Sequence, residues 1–222
     1  MILKGSTMSS QQRVISEEYR KLNMDLHAAQ PFGGNGRKWS DTIAGLVLLA
    51  NSPHFKARFG VETILDYGCG EGTMKVHLME RLDQLGMSDI DVREYDPCIP
   101  GKDKEPEPAD FVVCTDILEH VEPELLFNAL NHLDGLINKF AFFVVATQDS
   151  VVTLPDGSHA HRIIENGDWW LERLDVMHWS ISIVPARKPN KALVFLMAKN
   201  EVFKEWLHLS QTGIGKHAIH ST

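Results

Sequence analysis

Residues 64–73 read ILDYGCGEGT, and that stretch leaves the chain few folds to choose from. An apolar run ends in an acid, Asp66. Three glycines at alternate positions, Gly68, Gly70 and Gly72, then lead into the amphipathic segment TMKVHLMERLDQLG. A buried strand that turns through glycines straight into a helix opens a parallel βαβ layer. Glycine at every second position also strips the turn of side chains, as expected where a ligand approaches the backbone closely.

The rest of the chain repeats the alternation. SEEYRKLNMDLHAAQ carries Tyr19, Leu22, Leu26 and Ala29 at helical spacing, and PFGGNGRKWS follows as a glycine-rich loop. Ser40 is positioned to cap a second helix, DTIAGLVLLA. DIDVREYDP reads as a strand ending at Asp96, CIPGKDKEPEPAD as a charged loop and FVVCT as a strand. EPELLFNALNHLDGL has Pro123 in its first turn and Leu126, Leu130 and Leu133 along one stripe, so it reads as a helix. KFAFFVVAT is a fully buried strand, GDWWLERLDVM a short helix capped by Asp168, and WSISIVPA with KALVFLMAKN the arms of a hairpin.

The expected fold is therefore α/β: a doubly wound, mostly parallel, Rossmann-like sheet with a terminal antiparallel hairpin and an N-terminal helical extension. The division expected is 1–56 as helical extension and lid, 57–200 as core, and 201–222 as a helical tail.

Composition limits the partners. The chain has 222 residues, 43% of them apolar, enough for a full core. Its net charge of −8 argues against a general nucleic-acid or membrane-surface binder. Three cysteines without a C-x-x-C pair read as free thiols in a reducing compartment. No run reaches the ~20 apolar residues of a membrane span, and the N-terminus lacks a signal-peptide core. A soluble, cytoplasmic protein with no membrane partner is expected.

The turn after Asp66 has the pattern G-x-G-x-G, not the dinucleotide G-x-G-x-x-G. An acid before the first glycine repels a pyrophosphate and suits a ligand carrying an ammonium group and a positive sulfur. Asp96 ends the next strand, where a carboxylate accepts hydrogen bonds from ribose hydroxyls. A ribose, an amino-acid head and a sulfonium together describe S-adenosylmethionine.

At these residues the chain resembles a known family. ILDYGCGEGT, EYDP and ADFVVCTDILEHVEPELL resemble the successive motifs of class I S-adenosylmethionine-dependent methyltransferases. EEYRKLNMDLHAAQPFGGNGRKW, PEPADFVVCTDILEHVEP and LPDGSHAHRIIENGDWW are also similar to small phage- and bacterium-encoded methyltransferases of undefined substrate. The resemblance implies that Asp66, Gly68, Cys69, Gly70 and Gly72 line the methionine and ribose portion, with Asp96 on the ribose. It implies too that Asp116 faces the cofactor or the acceptor; the chain departs from the family pattern in CIPGKDKEPEP, where the usual third strand is shortened or lost.

The acceptor is read from other residues. The Asn/Asp-Pro-Pro-aromatic tetrapeptide of amino-methylating DNA enzymes is missing, and the Pro-Cys pair at Cys98 follows the ribose-binding strand, the wrong loop for a nucleophile. If a helical turn begins at DILEH, Asp116, Glu119 and His120 share one face. In GSHAH, His159 and His161 fall on one side of an extended segment. Asp116, Glu119, His120 and His161 are thus candidate ligands for Mg²⁺ or Mn²⁺. The alternative is a metal-free cluster in which His120 or His161 is the catalytic base, with Asp116 beside the acceptor. Trp169 or Trp170 is a candidate wall for a planar acceptor, and Tyr19 with PFGGNGRKW, including Trp39, a candidate cover.

The expected activity is methyl transfer from S-adenosylmethionine to an oxygen or nitrogen of a small or medium-sized acceptor. The alternatives are a nucleic-acid methyltransferase, with or without a metal, and a non-catalytic partner protein that binds the same cofactor.

Overall fold

A computed structural model describes residues 13–29, 34–175, 179–184 and 192–199. Six strands form one sheet: β1 (Thr63–Tyr67), β2 (Asp91–Tyr95), β3 (Ala109–Thr115), β4 (Ile137–Ala146), β5 (Ser180–Val184) and β6 (Ala192–Ala198). Their order is β2-β1-β3-β4-β6-β5. The first four pair in parallel, and β6 runs antiparallel to both β4 and β5. The late hairpin and the doubly wound sheet are as the sequence predicts. Residues 97–108 hold no strand, and β2 is left at the sheet edge.

Period-two alternation explains the layers, because successive side chains of a strand point to opposite faces. Ile64, Phe111, Val113, Phe140, Phe142 and Val144 pack on one face with helices α2 (Ser40–Ala50) and α4 (Thr73–Gln84). Leu65, Val112, Cys114, Ala141, Phe143 and Val145 pack on the other with α5 (Leu126–Leu136) and α6 (Gly167–Asp175), the short α3 (Lys56–Phe59) adding Phe59 to the first face. With both faces covered, the central strands read as unbroken apolar runs. α4 buries Met74, Leu78 and Leu82 at four-residue spacing.

Two caps differ from expectation. Ser40 is the first residue of α2 itself, and its buried hydroxyl makes no hydrogen bond. The preceding Trp39 packs edge-on against Phe142 at 5.4 Å, so packing of a large ring sets where the chain enters the helix. At α6 the cap is Asn166, whose Oδ1 accepts the Trp169 amide at 3.0 Å, with Asp168 already inside the first turn. The expected tail over 201–222 lies outside the described residues. No helix among the described residues is long and apolar enough to cross a membrane.

The helix α1 (Glu17–Ala29) stands apart from these two faces. Its Tyr19 and Leu26 pack with Leu154, joined by Ile15, Leu22 and Val152, in a small separate cluster.

Candidate functional site

β1 pairs with β2 on one side and with β3 on the other, so strand order reverses between β1 and β3. A ligand crevice is expected beyond the carboxyl ends of the strands at such a point. A cavity of about 530 Å³ lies there. Asp66, Gly68, Cys69, Gly70 and Asp96 line it from the β1 and β2 ends, and Thr115, Asp116 and His120 from the β3 end. Ile15, Tyr19, Asn23 and His27, at four-residue spacing along and just before α1, line it from above.

The glycine turn is built as its sequence requires, with Gly68, Gly70 and Gly72 at φ of 77°, 50° and 80°. What excludes side chains there is partly the protein itself. A Cβ on Gly68 would sit 2.5 Å from the Ile117 side chain, and one on Gly72 would overlap the Glu94 carboxylate and crowd Lys102. Gly72 therefore makes room for an ion pair, Lys102 Nζ to Glu94 Oε1 at 3.0 Å, and does not line the cavity. Lys102 also donates to the Gly70 carbonyl at 3.2 Å.

The acids divide by environment. Asp96 accepts the Gly70 amide on one oxygen at 2.9 Å and the Cys98 amide on the other at 2.8 Å. Asp66 is 4% exposed, and its Oδ2 is buried without a hydrogen-bond partner. Burial, and then the neighbouring charge of Glu94, push its pKa up to about 8. Cys98 is buried with its thiol pushed up to about 12, chiefly by burial, which makes it a poor nucleophile. Burial raises Cys69 likewise.

At the other end, DILEH forms a 3-10 turn over Leu118–His120, preceded by Asp116 at a φ of 57°. That left-handed backbone is uncommon outside glycine, and it turns Asp116 away from the shared helical face read from the sequence. Its carboxylate accepts from Lys38 Nζ at 2.8 Å. The structure instead groups Glu119, His120 and His161, with one polar atom of each lying within 4.8 Å of the other two. Their rings and carboxyl are held by the backbone. Glu119 Oε1 accepts the Ala146 amide at 2.9 Å, His120 Nδ1 donates to the Ala160 carbonyl at 2.8 Å, and His161 Nδ1 donates to the Gln148 carbonyl at 2.6 Å. Burial lowers His120 to about 4. His159 is exposed on a bridge to Thr153 and joins none of this.

Several expected contacts fall elsewhere. Neither Trp169 nor Trp170 lines the cavity: Trp170 is fully buried in the core, and Arg173 stacks on the Trp169 ring at 3.9 Å. Trp39 packs into the core, so it does not cover the cavity. The cover is α1, with Tyr19 in its inner stripe. It is tied by Ser16 to both carboxylate oxygens of Glu122 (2.8 and 2.7 Å), and by Arg20 to the Pro97 carbonyl (2.6 Å) and Asp103 (2.9 Å). Lys38, Arg20, Glu122 and Lys102 carry no motif of their own. The signal that could have exposed Glu94 is its place two residues before Asp96, on the same face of a strand.

A methyltransferase-domain family matches residues 34–188, and the chain belongs to that family, with the fold of the class I S-adenosylmethionine-dependent enzymes. Two solved structures share the architecture. One is a complex of DhpI with SAH, at 16% identity, covering 82% of this chain and 97% of that one, TM-score 0.50. The other is the Burkholderia thailandensis 1,6-didemethyltoxoflavin-N1-methyltransferase with bound 1,6-didemethyltoxoflavin and S-adenosylhomocysteine, at 16% identity, covering 89% and 93%, TM-score 0.50. At that identity the likeness is one of fold. No curated protein matches the sequence.

Proposed function

We propose that the protein transfers the methyl group of S-adenosylmethionine to an oxygen or nitrogen of a small acceptor bound in the cavity between β1, β3 and α1. The observation that carries this reading is Asp66 Oδ2, a buried oxygen without a partner on a residue of the cavity wall. Buried polar atoms are almost always satisfied, and an ammonium group on a ligand would satisfy this one and favour its charge. Asp96 spends one lone pair of each oxygen on a backbone amide and keeps others for ribose hydroxyls. The residues present fit the cofactor, which when bound supplies a methyl group on a sulfonium, ready for in-line displacement.

Everything else falls to the chain. Gly68 and Gly70 leave the turn open, and α1 lines the cavity from above. His120 is held neutral by burial, with Nδ1–H committed to Ala160, and lines the cavity at the end where the acceptor would enter. Asp116, set by its left-handed backbone and by Lys38, stands at the same end of the cavity to take the proton. His161 acts through His120, whose ring it meets edge-on at 4.8 Å.

The roof and the cavity size favour a small acceptor over a polymer, and one fold neighbour holds 1,6-didemethyltoxoflavin. The test uses methyl-labelled S-adenosylmethionine, the purified protein and a cell extract, with products split by acid precipitation. Label in new acid-soluble compounds, chromatographically distinct from S-adenosylmethionine, is expected. Label in precipitable material that resists protease and yields to nuclease would overturn the small-acceptor reading. Cofactor binding with no labelled product would make the protein a non-catalytic binder.

A further inference from the structure

We propose that Glu119, His120 and His161 form a binding site for one divalent first-row transition ion, of the Mn²⁺, Fe²⁺ or Zn²⁺ kind, at the β3 end of the cavity. The three side chains come from two segments far apart in sequence. These are stitched together where the Arg162 and Ile163 amides both donate to the Glu119 carbonyl, at 2.7 and 3.0 Å. That pairing fixes His161 beside the 118–120 turn.

Each side chain has one polar atom tied to backbone. Because a carbonyl accepts, Nδ1 carries a hydrogen in both imidazoles, and a metal would be ligated through Nε2. Histidines that ligate metals are oriented in this way, one ring nitrogen donating to a carbonyl or carboxylate while the other binds. Glu119 completes the pattern. Its Oε1 is held by the Ala146 amide, while Oε2, on a residue with no exposed surface, is buried with no hydrogen-bond partner. Such an atom destabilises the fold unless a ligand completes it.

The candidate ligand atoms lie within 4.8 Å of one another, and movement of about an ångström brings them to common coordination distances of ~2.1 Å. Two imidazole nitrogens and one carboxylate oxygen, with positions left open, select transition ions over Mg²⁺ and Ca²⁺, which take oxygen ligands. Asp116 is held away by Lys38, which removes the second carboxylate that an oxygen-rich site would need. His120 lines the cavity, so an ion here would stand beside the acceptor.

The inference does not depend on methyl transfer and is tested without it. The full chain is stripped with chelator, dialysed, and titrated with Mn²⁺ followed by electron paramagnetic resonance and with Zn²⁺ by calorimetry. S-adenosylhomocysteine binding to the same sample is measured in parallel and reports on the cofactor reading separately. One ion per chain is expected, retained against millimolar Mg²⁺. Glu119→Gln and His161→Gln should each weaken it by ~10-fold or more. His161 is partly exposed, so its variant keeps the test valid if Glu119→Gln does not fold. Absence of stoichiometric Mn²⁺ or Zn²⁺ binding, displacement by Mg²⁺, or affinity unchanged in the folded variants would overturn the proposal.

Discussion

Asp66 pulls stability and function in opposite directions. In the unfolded chain its carboxyl loses a proton near pH 3.8, whereas burial and Glu94 hold the proton on in the folded apoprotein up to about pH 8. A raised folded pKa contributes stability that is full below the unfolded value and is lost as pH rises through the folded one. The apoprotein is therefore expected to lose thermal stability between pH 5 and 8.5. Asp66→Asn should flatten that slope and melt higher than wild type at pH 8.5, each kcal/mol being worth ~2–4 °C in a chain of this size. The same variant should bind S-adenosylhomocysteine ~10-fold or more weakly, since a hydrogen bond to a charged group contributes ~1.5–3 kcal/mol. Melting curves across pH, with calorimetry at pH 7.5, check both. A variant with wild-type affinity would remove Asp66 from the cofactor site.

The glycines make a second contrast at this scale. Gly72 and Gly86 both have φ near the left-handed well, at 80° and 73°. A Cβ on Gly86 meets nothing within 4 Å, while one on Gly72 overlaps Glu94. Gly86→Ala should cost ~1–2 kcal/mol of backbone strain. Gly72→Ala should cost a further ~1–3 kcal/mol for overpacking, read from urea unfolding. Equal losses would mean that the Glu94–Lys102 pair yields freely. The glycines and Asp66 are legible in the sequence because they are neighbours along the chain. Ile117, Glu94 and Lys102, which crowd that turn, arrive from other elements, and no local pattern announces them.

Among the elements, α1 shows where periodicity stops being informative. Its stripe is plain in the sequence, but a stripe does not say whether it will cover a sheet or a cavity. Ile15, Tyr19, Asn23 and His27 cover the cavity, and the helix is secured at its edges by Ser16–Glu122 and Arg20–Asp103. Ligand in the cavity would add contacts to this face, so occupancy and docking of α1 are coupled. Adding S-adenosylhomocysteine should slow amide exchange in residues 17–29 by ~10-fold, the lower range of such couplings. Arg20→Ala combined with Glu122→Gln should weaken that ligand by a similar factor. Exchange that is indifferent to ligand would make α1 a fixed wall. The missed caps have a related cause. Ser40 and Asp168 are good capping residues, but the entry points of α2 and α6 are set by Trp39 against Phe142 and by Asn166.

At the scale of the molecule, the alternation of strands and helices already determined a doubly wound sheet with a late antiparallel hairpin. Hydrophobic period and glycine turns are local, and βαβ connectivity leaves few ways to bury both faces. The same local record made the glycine turn legible, because the βα turn and its acid lie within ten residues. Only the tertiary structure decided the β3 end of the cavity. It sent Asp116 to Lys38, brought His161 across to Glu119 and His120, buried Trp170 in the core and laid α1 over the cavity. Those choices join residues from about 40 to more than 100 positions apart along the chain. They are made by packing and by the need to satisfy buried polar atoms, and neither has a period that can be read along a sequence.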